Sequence, residues 1–94
     1  MNREIDPLML PRIKLSRGGI PRISCVYFII HRNKVIYVGK TKHLDIRLIY
    51  HHKLKEFGNS EVAWVKLQNR FLLKHERKWR DRLLPTLNER EWHG

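Results

Sequence analysis

Hydrophobic and polar positions change their spacing several times between Ser24 and Leu84, and each change marks an element. Ser24-Cys25-Val26-Tyr27-Phe28-Ile29-Ile30 is almost free of polarity and rich in β-branched and aromatic residues, so it reads as a well-buried strand. His31-Arg32-Asn33-Lys34 is a polar connector whose Asn suits a turn, and Val35-Ile36-Tyr37-Val38 is a second strand closed by Gly39. Strands this close in sequence form an antiparallel hairpin. Thr41 can cap a helix that runs to about Leu54. Leu44, Leu48 and Ile49 lie on one side of that helix, while Arg47 and His51, four apart, project together from another. A loop from Glu56 to Ser60 leads to Glu61-Val62-Ala63-Trp64-Val65-Lys66-Leu67, a third strand by its alternation. Val62, Trp64 and Lys66 fall on one of its faces and Ala63, Val65 and Leu67 on the other. The segment from Asn69 to Leu84 is the longest helix, stopped by Pro85, and the tail from Thr86 to Gly94 holds Asn88. Residues 1–22, punctuated by Pro7, Pro11, Pro21 and Gly18-Gly19, read as an irregular basic arm. The ββαβα order predicts an α+β domain over residues 23–94: a three-stranded antiparallel sheet flanked by helices.

Composition narrows what such a domain can do. The chain has 94 residues, and 20 Lys+Arg against 9 Asp+Glu give a formal net charge of +11. That length suits one domain and leaves no room for separate catalytic and recognition domains. The charge makes a polyanion the default partner, nucleic acid first. Cys25 is the only cysteine, which excludes an intramolecular disulfide and a cysteine-rich zinc site. Val26 to Ile30 is the longest apolar run and falls far short of the ~20 residues that span a bilayer. Met1-Asn2-Arg3-Glu4 lacks the apolar core of a signal peptide. These features lead to the expectation of a cytoplasmic domain with no membrane partner.

One residue sits against the pattern. In the long helix, Leu72, Glu76, Trp79 and Leu83 recur at helical spacing and form one stripe, with Leu73, Arg80 and Leu84 beside it. A carboxylate therefore stands in the middle of the side that packs on the sheet, where an unpaired charge is costly. A half-buried ion pair with one of the many arginines explains it; so does a metal ligand or an acid–base group in a cleft. Its company favours chemistry. Antiparallel pairing can bring Tyr27 and Tyr37 to one sheet face, and the following helix offers Arg47 and His51.

Cys25-Val26-Tyr27, Tyr37-Val38-Gly39, Arg47, His51, Glu76 and Asn88, in this order and spacing, resemble the GIY-YIG nuclease domain over residues 24–88. The chain is similar to the small stand-alone members of bacteria and their phages. Val62-Ala63-Trp64-Val65 matches the strand before their glutamate helix, and Pro85-Thr86-Leu87-Asn88 matches their closing stretch. Cys25-Val26 replaces the Gly-Ile of the family name, but the tyrosine carries the chemistry. His51 and His52 are adjacent, and the spacing from Arg47 favours His51.

The resemblance implies hydrolysis of DNA phosphodiester bonds with one divalent ion, Mg2+ or in its place Mn2+. Glu76 would be the metal ligand and Arg47 the clamp on the phosphate oxygens. Tyr27 would be the general base, with Tyr37 and His51 positioning it or relaying the proton. His51, with an ordinary pKa near neutrality, is a rival for that role. Asn88 would orient the phosphate or brace the site, and Lys40 and Lys42 would touch flanking phosphates. A homodimer or a partner protein would serve double-strand cleavage or targeting. The alternative is a non-catalytic basic DNA- or RNA-binding module on the same fold. Retention of every tyrosine and acidic position argues against that decay.

Overall fold

An apolar hairpin forms the centre of the molecule. The computed structural model describes residues 6–15, 18–52, 59–83 and 85, with the side chains of residues 50–52 outside that description. Its elements are a 3₁₀ turn at Pro7–Met9, then β1 (Ile13–Lys14), β2 (Cys25–His31), β3 (Lys34–Thr41), α1 (Leu44–His52) and β4 (Glu61–Lys66). A second 3₁₀ turn, Asn69–Phe71, leads into α2 (Leu72–Leu83). The fold is α+β, as its element order predicts. The sheet differs in strand count: it has four strands in the order β1-β4-β2-β3.

The extra strand comes from the segment expected to be irregular. Ile13 and Lys14 pair antiparallel with Val62 and Glu61 and cover the edge that β4 would otherwise expose. Arg12 holds this addition in place. Its guanidinium lies 3.4 Å from Glu61 Oε1 and donates to Asn33 Oδ1 at 2.8 Å and to the Leu8 carbonyl at 2.7 Å. Two residues form too short a pattern to read from alternation, which is why β1 is illegible in the sequence.

β2 is the central strand, paired with β3 on one side and β4 on the other. Every residue from Cys25 to Ile30 is buried, as expected of a strand covered on both faces. Its odd-numbered residues, Cys25, Tyr27 and Ile29, share one core with Tyr37, Leu44, Leu48 and Val62, and Trp64 packs against it. Its even-numbered residues, Val26, Phe28 and Ile30, share the other with Val38, Ala63, Leu72 and Trp79. Thus α1 covers one face and α2 the opposite face. The two-faced pattern expected of β4 holds in both cores.

The helix starts differ from expectation by a few residues, and the expected ends at about Leu54 and at Leu84 lie outside the described residues. Thr41 belongs to β3, and its Oγ1 accepts from the His43 amide at 3.0 Å, so it closes a turn ahead of α1 rather than capping the helix directly. Leu44 and Leu48 are buried, but Ile49 is 57% exposed. A helix seated by an i, i+4 pair turns a residue one step further round toward solvent.

Candidate active site

Hairpin register decides whether the two tyrosines meet. A two-residue turn, Arg32-Asn33, pairs His31 with Lys34 and Ile30 with Val35. Both turn residues have positive φ, 51° and 60°, the backbone of a type I′ turn. Continued unbroken, this register would set Tyr37 opposite Phe28 and send Tyr27 and Tyr37 to opposite faces. A β-bulge intervenes. Ile29 pairs with Tyr37 and Tyr27 with Gly39, so Ile36 is the extra residue. The two tyrosines then become diagonal neighbours on the α1 face, with ring centroids 6.0 Å apart and an interplanar angle of 40°.

Gly39 completes the arrangement because it has no side chain. A Cβ at this position would stand 2.6 Å from Tyr27 Cζ and from Tyr27 Oη. The Tyr27 ring therefore lies directly on the Gly39 backbone.

Arg47, on the first turns of α1, reaches the same place. Its side chain is hydrogen-bonded to the Tyr27 hydroxyl, which is hydrogen-bonded in turn to Tyr37. The bond between the two hydroxyls favours the neutral form of Tyr27 and eases proton loss from Tyr37. Burial raises the Tyr27 pKa well above the ordinary phenol value, and the neighbouring Tyr37 adds to the rise; the charge and hydrogen bond of Arg47 oppose it without prevailing. Burial also raises Tyr37, against the pull of Arg47. Both phenols are neutral at pH 7. Arg47 Nε is buried with no hydrogen-bond partner among the described residues. A buried donor of a charged group is costly to leave unsatisfied, and this one lies beside the paired phenols.

Glu76 arrives from the opposite face on α2. It is 9% exposed, between the buried Leu72 and Trp79, as its stripe predicts. The ion-pair explanation holds in part, since Arg80 Nη1 lies 3.8 Å from Glu76 Oε2, one turn on. That distance is too long for a hydrogen bond, and with its guanidinium half-exposed the i, i+4 pair is a weak one. β3 is an outer strand, and the charges of both helices converge on its Tyr37: Arg47 from α1, Glu76 and Arg80 from α2.

Tyr27, Tyr37, Arg47 and Glu76 are thus gathered. Lys40 and Lys42 follow Gly39 and are exposed, Lys40 paired with Val26 and so on the α2 side of the sheet. The backbone of His51 lies in α1, one turn after Arg47, but its side chain is outside the description. Asn88 lies outside the described residues. Sequence reasoning left Arg80 as a mere flank of the stripe. The signal that finds it is its i+4 spacing from Glu76.

A hard divalent ion fits this donor set. Among the described residues no group of three or more His, Cys, Asp or Glu gathers. Mg2+ is held by one or two carboxylates while keeping its waters, and buried, loosely paired Glu76 is such a carboxylate. No helix among the described residues is long and apolar enough to cross a membrane.

The α+β domain thus sets paired phenols, a half-buried arginine and a carboxylate around one outer strand. The model of the GIY-YIG catalytic domain matches residues 23–93, and the chain belongs to that family. The family is one of endonucleases, generally dependent on a divalent metal, with DNA as substrate. No curated protein and no solved structure matched the chain.

Proposed function

We propose that this chain is a metal-dependent DNA endonuclease working through Tyr27, Tyr37, Arg47, His51, Glu76 and Asn88. The observation that carries it is the buried Nε of Arg47, without a partner among the described residues and fixed by the Tyr27–Tyr37 pair near a buried carboxylate. A solvated surface arginine needs no such support; an arginine that binds a phosphate in one orientation does.

Each side chain has a definite task. Arg47 stays protonated, and its fork binds the non-bridging oxygens of the scissile phosphate, with stronger hold as charge develops on them. Glu76 holds Mg2+, or Mn2+ in its place. When bound, the ion supplies Lewis-acid stabilisation of the phosphate charge and of the departing oxygen. Tyr27 takes the proton of the attacking water, and Tyr37 and His51 position it or relay the proton. Because burial holds both phenols neutral, ionisation of Tyr27 needs more positive charge than Arg47 alone provides. His51 is the rival base, and the two make different pH profiles: a phenol raised by burial keeps cleavage climbing at alkaline pH, whereas an imidazole base levels it off earlier. Asn88 orients the phosphate, and Lys40 and Lys42 contact its neighbours. Excess positive charge elsewhere is a diffuse footprint that draws the substrate in.

Plasmid DNA incubated with Mg2+ tests the proposal directly, beside Glu76→Ala and Tyr27→Phe and an EDTA control. Wild type should nick or cut while both variants and the EDTA sample do not. Absence of cutting across linear, nicked, flapped and four-way-junction DNAs would refute the proposal, as would cutting that survives Glu76→Ala.

A further inference from the structure

We infer that Arg80 is a second phosphate-binding arginine, held at Glu76 until a divalent cation displaces it and turns its guanidinium toward the DNA backbone. The inference rests on the nuclease function proposed above.

Three observations meet in this residue. Arg80 lies 3.8 Å from Glu76 Oε2, so its guanidinium stands beside the carboxylate that would take a cation. The contact is loose, and the Arg80 side chain is 43% exposed against 11% for Glu76. The carboxylate is anchored in the stripe while the guanidinium can leave. Lastly, Arg80 and Arg47 come from helices on opposite faces of the sheet, yet both act electrostatically on the one phenol of Tyr37. A phosphodiester seated on Arg47 at Tyr37 therefore lies within the field of Arg80.

The logic is one of exchange. A divalent cation on Glu76 offsets the negative charge that draws Arg80 there and repels the guanidinium across a few ångströms, and a 3.8 Å contact has no hydrogen bond to resist it. Arg80 is then the side that moves, since it is the more exposed of the two. A planar, permanently charged fork released beside a polyanion binds the oxygens of a phosphate on the same strand. In the absence of DNA, Arg80 must weaken metal binding. With DNA present it must strengthen substrate binding. A residue that only braced α2 would produce neither effect.

The test compares wild type with Arg80→Gln and Arg80→Lys. Mn2+ affinity is measured by calorimetry without DNA. Duplex affinity is measured by anisotropy of a labelled oligonucleotide in Ca2+ over a salt series, with cleavage followed on parallel samples in Mn2+. Removing the competing charge should tighten Mn2+ binding by roughly 3- to 10-fold in Arg80→Gln. The same variant should bind the duplex more weakly, with its salt slope reduced by about one. Arg80→Lys should return most of both properties. Mn2+ affinity that is unchanged or weaker overturns the inference, and so does an unchanged salt slope. Wild type that binds Mn2+ and DNA without ever cutting would instead refute the nuclease function, an outcome separate from either binding result.

Discussion

Substituting Gly39 by alanine should be the most informative single-methyl change in the molecule. Alanine in the middle of a strand ordinarily helps, because glycine there costs roughly 0.5–1 kcal/mol in chain entropy. Here the new Cβ would lie 2.6 Å from Tyr27 Cζ and Oη and 2.8 Å from Cε1, where ordinary contact begins at 3.4 Å. The ring must therefore retreat by most of an ångström. It cannot do so freely, since Tyr27 is 0% exposed and packs beside Tyr37. Overpacking of this kind costs about 1–3 kcal/mol, so the balance is a net loss of about 1–2 kcal/mol. For a domain of this size that lowers the melting temperature by about 5–15 °C. Cleavage should suffer more than stability, because misplacing a catalytic group by an ångström can cost ~100-fold. Melting by circular dichroism and plasmid nicking well below the transition measure the two effects separately. Tyr27→Leu, which lacks all three crowding atoms, supplies the control: in that background Gly39→Ala should be neutral or stabilising. A Gly39→Ala protein that melts at or above wild type, or a penalty that persists in the Tyr27→Leu background, would refute the geometry.

Two further outcomes follow from the same structure. Glu76→Leu should abolish cleavage yet raise the melting temperature by several degrees, about 1 kcal/mol, because it removes a carboxylate from an apolar stripe at the cost of one weak ion pair; a lower melting temperature would show Glu76 to be structural. Alkaline pH should destabilise the fold in stages. Burial pushes the Cys25 thiol from 9.0 to about 12, and both site phenols are raised from 10.0. The neutral forms are favoured in the folded chain, so this stability is fully present below pH 9 and is lost as pH rises toward 12. Melting curves from pH 8 to 11 should fall sooner in wild type than in Cys25→Ala, a comparison that cancels the lysine charge lost by both; identical pH dependence in the two would contradict the assignment.

Much of this architecture was legible because local pattern and tertiary role coincide. β2 reads as buried on both faces, and it is; Leu72, Glu76, Trp79 and Leu83 read as one stripe, and they pack as one. Legibility failed where a single residue alters a count. Spacing alone suggested that Tyr27 and Tyr37 could share a face, yet the two-residue turn by itself dictates the contrary. Only the bulge at Ile36 reverses the parity. Nothing in Val35-Ile36-Tyr37 announces a bulge, since all three residues suit a regular strand. The same limit hid β1, whose pairing depends on Arg12 bridging Glu61 and Asn33 across 49 and 21 residues of sequence.

That distinction also explains what the site residues have in common. Each tyrosine, taken alone, is an ordinary strand residue, and Arg47 an ordinary helix charge. They become a site through three devices that do nothing for the core: a bulge that turns Tyr37 to the face of Tyr27, a glycine that lets the Tyr27 ring lie on the backbone, and a buried Nε without a partner among the described residues. A fold selected for stability alone would keep none of them. A regular hairpin pairs more residues, alanine at position 39 lowers chain entropy, and leucine at position 76 fills the stripe. All of these costs fall around Tyr37 on one outer strand, a concentration that packing does not explain and that the proposed phosphodiester chemistry would.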